Sequence, residues 1–370
     1  MARIIFTVTN DLTYDQRMQR ICTSLASQGF DIVLTGRRLT SSVALESKMF
    51  KQKRLHCLFN KSIVFYAEYN LRLFFWLLFQ KADVLCAIDL DTILPVLAVS
   101  YLRRKKRVYD AHELFTEQVE IISRPRIYRA WLRIEKFSVP RFNNGYTVNQ
   151  FIAGEFFRRY NVQYEVIRNL PVFTYEPGPA SPCKERIIIY QGAVNKGRCF
   201  ETLIPAMQQV NAKLVICGNG NFFEEVKQLI QQYNVQNKVV LKGYVLPGDL
   251  KKITPTACIA VTLFEHTGLN QYYSLGNRFF DYIMAGVPQV CVAYPEYKAI
   301  NDIYNVAFLI NDTNTETIAW ALNQLLNNNE LHETLSQNCR KARLTLQWQE
   351  EEKKLVAFYN KFANQQNQHR

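Results

Sequence analysis

The chain has 370 residues, long enough for two domains with buried cores. Hydrophobic residues make up 48% and charged residues 21%, which excludes a disordered chain, and a formal charge of +13 points to anionic company. Nine cysteines stand singly, with no Cys-x-x-Cys pair, and five histidines form no ligand cluster, so reduced thiols are expected in place of a disulfide framework or zinc site.

The opening Met-Ala-Arg-Ile-Ile-Phe-Thr-Val reads as a strand and lacks a signal-peptide pattern. No run reaches the ~18 apolar residues of a spanning helix. Arg3–Thr9 is the first strand, Tyr14–Gln28 an amphipathic helix ended by Gly29, and Asp31–Gly36 the next strand. This βαβ opening predicts a parallel sheet. Strands at Val84–Ile88, Val108-Tyr109, Gly145–Val148 and Tyr164–Ile167 alternate with helices at Thr92–Leu102, Arg126–Phe137 and Phe151–Tyr160. Asn169 to Pro182 is rich in proline and has no periodicity, so it reads as a linker. The alternation then restarts, with strands at Arg186–Gln191, Lys213–Cys217, Val239–Lys242, Cys258–Val261, Gln289–Ala293 and Val306–Ile310. Trp348–Phe362 is a helix whose acids lead and bases follow, as the helix dipole favours, and Asn364–Arg370 is polar enough to fray. The expectation is two doubly wound, Rossmann-like α/β domains facing each other across a cleft, where ligands of open sheets bind. The divisions are 1–171, a linker at 172–184, 185–345, and a final helix over 346–370.

Several stretches can carry chemistry. In Tyr273–Val290, Gly276 precedes a short helix that starts at Asn277 and Arg278 and is stopped by Gly286-Val287-Pro288. Asn is a favoured N-cap, and helix starts attract anions. Asp281 lies one turn in, on the face of Asn277, where it can accept from sugar or ribose hydroxyls. The plainer alternative is a capped surface helix. Tyr190–Arg198 joins a strand to a helix through Gly192 and Gly197, with Lys196 and Arg198 adding charge: a phosphate site in physical terms, or a solvated turn. Cys217-Gly218-Asn-Gly and Gly243-Tyr244-Val245 are further strand-to-helix turns. Asp110-Ala-His112-Glu113 falls at a strand's C-terminal end, where His112 can donate to a ligand; Asp110 reads as a turn cap. Asp15 and Arg17 follow the first strand, either as ligand groups or as a capped turn with an i,i+2 charge pair. Asp89-Leu-Asp91 has the letters of a metal triplet but falls at a first-domain strand end. Leu71–Phe79 is apolar almost all round and Arg103–Arg107 is wholly basic; together they suit an anionic membrane, the alternatives being a core helix and a solvated end.

Asn277-Arg-Phe-Phe-Asp-Tyr-Ile-Met-Ala-Gly-Val-Pro288 and Asp110-Ala-His-Glu-Leu-Phe115 resemble segments of retaining glycosyltransferases of the family 4 type, with the two-domain GT-B fold. The usual form of the first is Asn-Lys-Leu-Phe-Glu-Tyr-Met-Ala-Ala-Gly-x-Pro. Asp281 replaces the second acid of that family's Glu-x7-Glu motif, Tyr273 stands where the first belongs, and Glu265 is the nearest substitute. The resemblance implies transfer of a sugar from a nucleotide-diphosphate sugar to an acceptor hydroxyl, in cell-surface polysaccharide or glycolipid synthesis. It makes His112, Arg198 and Asp281 catalytic, with Glu113 in support. Gly192, Lys196, Gly218, Tyr244, Val245, Glu265, Gly276, Asn277 and Arg278 hold the donor, and Asp15 and Arg17 lie on the acceptor side. It implies no metal and no cofactor, a glycan or lipid-linked glycan as acceptor, and a final helix that crosses back onto the first domain. The location expected is cytoplasmic, or peripheral on the inner face of the membrane. Alternatives are a nucleotide-sugar epimerase of the same fold, a catalytically dead donor-binding protein, and a basic nucleic-acid binder, for which no recognition motif is present.

Overall fold

A computed structural model describes residues 2–13, 15–173 and 185–367. The chain divides into two compact units: unit 1 is Met1–Asn169 with Glu350–Arg370, and unit 2 is Leu170–Gln349. Most of the linker expected at 172–184 lies outside the described residues, as does the last part of the polar tail.

Unit 1 is built on seven parallel strands: β1 Arg3–Thr7, β2 Asp31–Arg38, β3 Lys51–His56, β4 Val84–Ile88, β5 Lys106–Ala111, β6 Gly145–Thr147 and β7 Glu165–Val166. Their order is β3-β2-β1-β4-β5-β6-β7. The central strands are continuous apolar runs because both faces are covered. Helices α1 (Gln16–Ser27), α2 (Ser62–Phe79) and α3 (Ile93–Leu102) follow β1, β3 and β4. The chain runs outward from β1 to β3, then returns to β4 and runs the other way. The loops after β1 and β4 therefore flank the point where strand order reverses, the position at which open sheets hold ligands. The C-terminal helix, Trp348–Asn367, seals this unit: Tyr359 is fully buried, with its ring 5.7 Å from Phe6, and Glu351 accepts from the Arg168 amide at 2.9 Å.

Unit 2 repeats the plan with six parallel strands: β8 Ile187–Gln191, β9 Lys213–Cys217, β10 Val239–Gly243, β11 Ile259–Thr262, β12 Gln289–Val292 and β13 Ala307–Ile310. Their order is β10-β9-β8-β11-β12-β13, so the reversal lies between β8 and β11. Seven described cysteines are free and buried, as expected, but Cys258 is disulfide-bonded, so reduced thiols do not hold throughout. Among the described residues no helix is long and apolar enough to cross a membrane.

Candidate functional site

In unit 2 the loops at the strand ends are laced into one surface. The Gly192 amide donates to the Cys217 carbonyl (3.0 Å), the Gly218 amide to the Gly243 carbonyl (2.7 Å), and the Val194 amide to the Asn219 carbonyl (3.0 Å). This brings Gly192, Gly218 and the Gly243-Tyr244-Val245 turn together. Gly218 is obligatory here: a Cβ on it would sit 1.8 Å from the Gly192 carbonyl oxygen. Gly192 has φ +117°, a conformation that L side chains rarely adopt. Tyr244 is exposed and Val245 half-buried.

Two cations converge on this surface. Arg198 follows the β8 loop, and Arg278 lies in the first turn of the Asn277–Ala285 helix. Both guanidiniums stack on Phe264, at 4.4 and 5.2 Å from its centroid, and Arg278 also covers Tyr190 at 4.3 Å. Arg278 is buried, and its Nη1, like Nε of Arg198, has no hydrogen-bond partner among the described residues. Burial holds the Arg198 pKa below its ordinary value, and the charge of Arg278 lowers it further. Burial pushes the hydroxyls of Tyr282 and Tyr297 up, so these phenols cover the charge of Arg278 without cancelling it. A Cβ on Gly192 would lie 3.5 Å from Nη2 of Arg278, so the glycine keeps that flank open.

The Asn277–Ala285 helix begins one residue away from the expected cap. Gly276 is the N-cap, with no side-chain cap bond, and exposed Asn277 is the first helical residue. The Gly276 amide donates to the Tyr297 hydroxyl at 2.8 Å. Gly286 ends the helix at φ +72°, as its sequence position implies. Half-buried Asp281 accepts from Nε2 of Gln191 at 2.9 Å, and Oε1 of Gln191 accepts from Thr254 at 2.7 Å. Gln191 was missed in the sequence; it is a buried polar residue ending an apolar strand. Glu265 is tied to the β8 loop, its amide donating to the Gly197 carbonyl at 3.1 Å. Burial and the neighbouring Glu201 push its carboxyl up, while exposed Lys196 pulls it down.

Unit 1 gathers a different set at its own reversal point. Asp110, fully buried, takes both terminal nitrogens of Arg17 at 2.7 and 2.9 Å. It is therefore an ion-pair partner and not a turn cap. Asp15 caps α1, accepting from the Met18 amide at 2.9 Å and from Asn10 at 2.6 Å. The capped first turn offered as the alternative forms at Asp15, but without its i,i+2 charge pair, because Arg17 is taken by Asp110. Glu113 accepts from Gln118.

His112 is clasped by Asp89, whose carboxylate takes the His112 amide at 2.9 Å and lies 3.1 Å from Nδ1. Asp89 adopts φ +56° to do so, a strained conformation for a non-glycine residue. Nε2 lies 3.6 Å from Asp110, too far for a hydrogen bond, and is buried without a partner among the described residues. Burial and Arg17 oppose protonation of the ring, but Asp89 and Asp110 outweigh them and hold its pKa up to about 10. His112 is thus an imidazolium at neutral pH, with Nε2–H as a fixed donor. Asp91 beside it accepts from Thr9, and burial and Asp89 push its carboxyl up to about 7. Among the described residues no group of three or more His, Cys, Asp or Glu could hold a metal ion.

Comparison with known proteins meets this geometry. Residues 174–342 match the family Glycosyl transferases group 1. An uncharacterized glycosyltransferase of Methanocaldococcus jannaschii, MJ1607, is 27% identical over 161 residues, covering 42% of this chain. The match covers 40% of that relative, so the chain spans less than half the length of the curated protein it matches. Sucrose-phosphate synthase from Thermosynechococcus elongatus superposes with a TM-score of 0.82 at 15% identity, over 98% of this chain and 100% of that one. Anabaena Alr3699/HepE in complex with UDP gives 0.72 at 13% identity, over 100% of each chain. The two parallel-sheet, Rossmann-like units are the GT-B fold.

Proposed function

We propose that this chain, whose second unit carries a Glycosyl transferases group 1 domain, moves a sugar from a nucleotide-diphosphate sugar to an acceptor hydroxyl with retention of configuration. One observation carries the reading: two guanidiniums share the Phe264 ring, and among the described residues no carboxylate pairs with either. Like charges held together out of water are costly unless an anion joins them. A diphosphate fits that need, and UDP in a protein of the same fold supports it.

The chemistry asks little more of unit 2. Breaking the glycosidic bond builds negative charge on the departing diphosphate. Arg198 and Arg278, already stacked, meet that charge without reorganising, and the first amides of the Asn277–Ala285 helix add to them. Exposed Lys196, on the same loop as Arg198, is a further cation for the diphosphate. Gly192, Gly218 and Gly276 let the backbone come close, and the Tyr244-Val245 turn is the base-side edge. Asp281, and Glu265 in place of the acid missing at Tyr273, accept from ribose and sugar hydroxyls. In unit 1 His112 is the donor to a sugar hydroxyl; as an imidazolium it is not a general base at neutral pH. Arg17 holds Asp110, and through it the His112 ring, as a positioning residue.

No metal is needed in this scheme, and full turnover in EDTA is expected. The acceptor is a glycan or lipid-linked glycan on the cytoplasmic side of the membrane. Thermal stabilisation by UDP-, GDP-, ADP- and TDP-sugars tests the donor assignment, because a bound donor raises apparent stability. No response to any of them removes the reading. The anomeric configuration of the product, read by NMR, decides retention. Conversion of the donor's own sugar without acceptor identifies an epimerase instead.

A further inference from the structure

The outer helices of unit 1 carry a surface that sugar transfer leaves unused. α2 has two apolar stripes where an ordinary surface helix has one. Phe65, Tyr69, Leu73 and Leu77 are buried. Val64, Leu71, Phe75 and Phe79 repeat at helical spacing on the outer side, and the last three are 59, 53 and 79% exposed. Scattered exposed apolar residues mean nothing, but a stripe of this length marks an interaction surface.

α3 packs beside α2 and extends the stripe with exposed Leu94, Tyr101 and Leu102. Arg103 donates to the carbonyls of Leu77 and Gln80, which ties the end of α3 to the end of α2. Phe79 and Leu102 thus share that end with exposed Lys81, Arg104 and Lys106.

The Pro125–Ser138 helix joins the same layer through Trp131, edge-on to Tyr66 of α2 at 5.3 Å. Its outer face is a basic stripe of Arg126, Arg129, Arg133 and Lys136, at intervals of three, four and three, all exposed. Among the described residues none of the four pairs with a carboxylate. The helix's one acid, Glu135, is buried.

We propose that this α2, α3 and Pro125–Ser138 layer rests on an anionic lipid bilayer. Apolar side chains beside unpaired cations match the boundary between acyl chains and phosphate headgroups. A nucleic acid would satisfy the cations and leave the apolar stripe in water. A second copy on the same face would bring two basic stripes together, with no exposed acid on any of the three helices to balance them. The one carboxylate on this side of α2, Glu68, is already held by Arg72 and the Leu58 and Phe59 amides. The contact is interfacial, since no described helix can span.

The test is co-sedimentation of the full chain with vesicles of phosphatidylcholine alone and with phosphatidylglycerol added. Binding is expected only to the anionic vesicles and falls with salt. Combining Leu71→Ser, Phe75→Ser and Phe79→Ser weakens it about tenfold or more. Combining Arg126→Glu, Arg129→Glu and Arg133→Glu weakens it roughly a hundredfold. Both variants change exposed positions, so unchanged thermal unfolding and unchanged stabilisation by nucleotide confirm that they fold. The proposal is overturned by absent binding, by equal binding to neutral vesicles, or by indifference to the α2 variant. It is equally overturned if light scattering finds that variant splitting a dimer, or if only nucleic acid is retained by the basic stripe.

Discussion

Unit 1 and unit 2 each gather charge where their strand order reverses, but they treat it in opposite ways. In unit 1 the charges answer one another: Arg17 has Asp110 and His112 has Asp89, and Nε2 of His112 is left without a hydrogen-bond partner among the described residues. In unit 2 Arg198 and Arg278 lie against the same ring with no paired carboxylate among the described residues. A closed network gives fixed orientation. An open one gives a place for an anion, at a cost to the unliganded fold. Substitutions in the two regions should therefore move stability in opposite directions.

The largest effect is expected at Asp110. Asp110→Asn leaves Arg17 buried without its counter-charge, which costs about 3–5 kcal/mol. Urea unfolding measures it, and a loss below about 1 kcal/mol would mean that water reaches the pair. Adding Arg17→Met to Asp110→Asn should recover part of the loss, because the stranded charge is then gone.

Arg198→Met sharpens the contrast from the other side. Removing one of two like charges relieves repulsion, so the free protein should melt at the same temperature or higher. The same change should weaken UDP binding roughly 10- to 100-fold, the range of one or two charge-assisted hydrogen bonds. Calorimetric titration reads the second and thermal unfolding the first. A destabilised free variant with unchanged UDP affinity would place Arg198 in the packing and outside the site.

The sequence made the open site easier to read than the closed one. Gly192, Lys196, Arg198, Asn277 and Arg278 lie in two short segments, and glycine beside cations at a strand end is a local signal. Strand and helix alternation is local too, so all the strands but β3 were legible. β3 hides because it is an edge strand: Lys51-Gln-Lys-Arg-Leu-His56 is charged along half its length, as exposed edges are. The unit 1 network hides for another reason. Arg17 and Asp110 are 93 residues apart, and Asp89 meets His112 only because β4 pairs with β5, with Ile88 opposite Asp110. Asp89-Leu-Asp91 was noticed as a metal-like triplet and set aside, but adjacency of two strand ends was needed to see Asp89 as the clasp of His112. Asp15 stayed open between two readings because an N-cap and a ligand carboxylate look alike in a sequence, and the N-cap is what forms.

A smaller effect tests whether the closed network is charged as described. The His112 pKa is about 10 in the fold against 6.5 for the free ring. A raised value means that its stabilisation is complete below about pH 6.5 and is lost as pH rises through about 10. Relative to His112→Gln, the native chain should be more stable at pH 6 by on the order of 2 kcal/mol, and the difference should close by pH 10. Thermal unfolding across that range measures it. A difference that stays flat with pH would mean a neutral ring.

The smallest effect expected is at Asp91, where the sign falls on a carboxylate. Its pKa stands at about 7 in the fold against 3.8 free, so the folded chain binds this proton more tightly than the unfolded chain does. The contribution is present below pH 3.8 and is lost as pH rises through 7, leaving a buried charge beside Asp89 above that. Asp91→Asn keeps an oxygen for the Thr9 hydroxyl and removes the charge. The variant should match the native chain near pH 5 and exceed it by about 1 kcal/mol at pH 8. If Asp91→Asn instead loses stability at pH 8, the ionised carboxylate is part of the clasp on His112, and unit 1's network is one charge larger than the pairs named above.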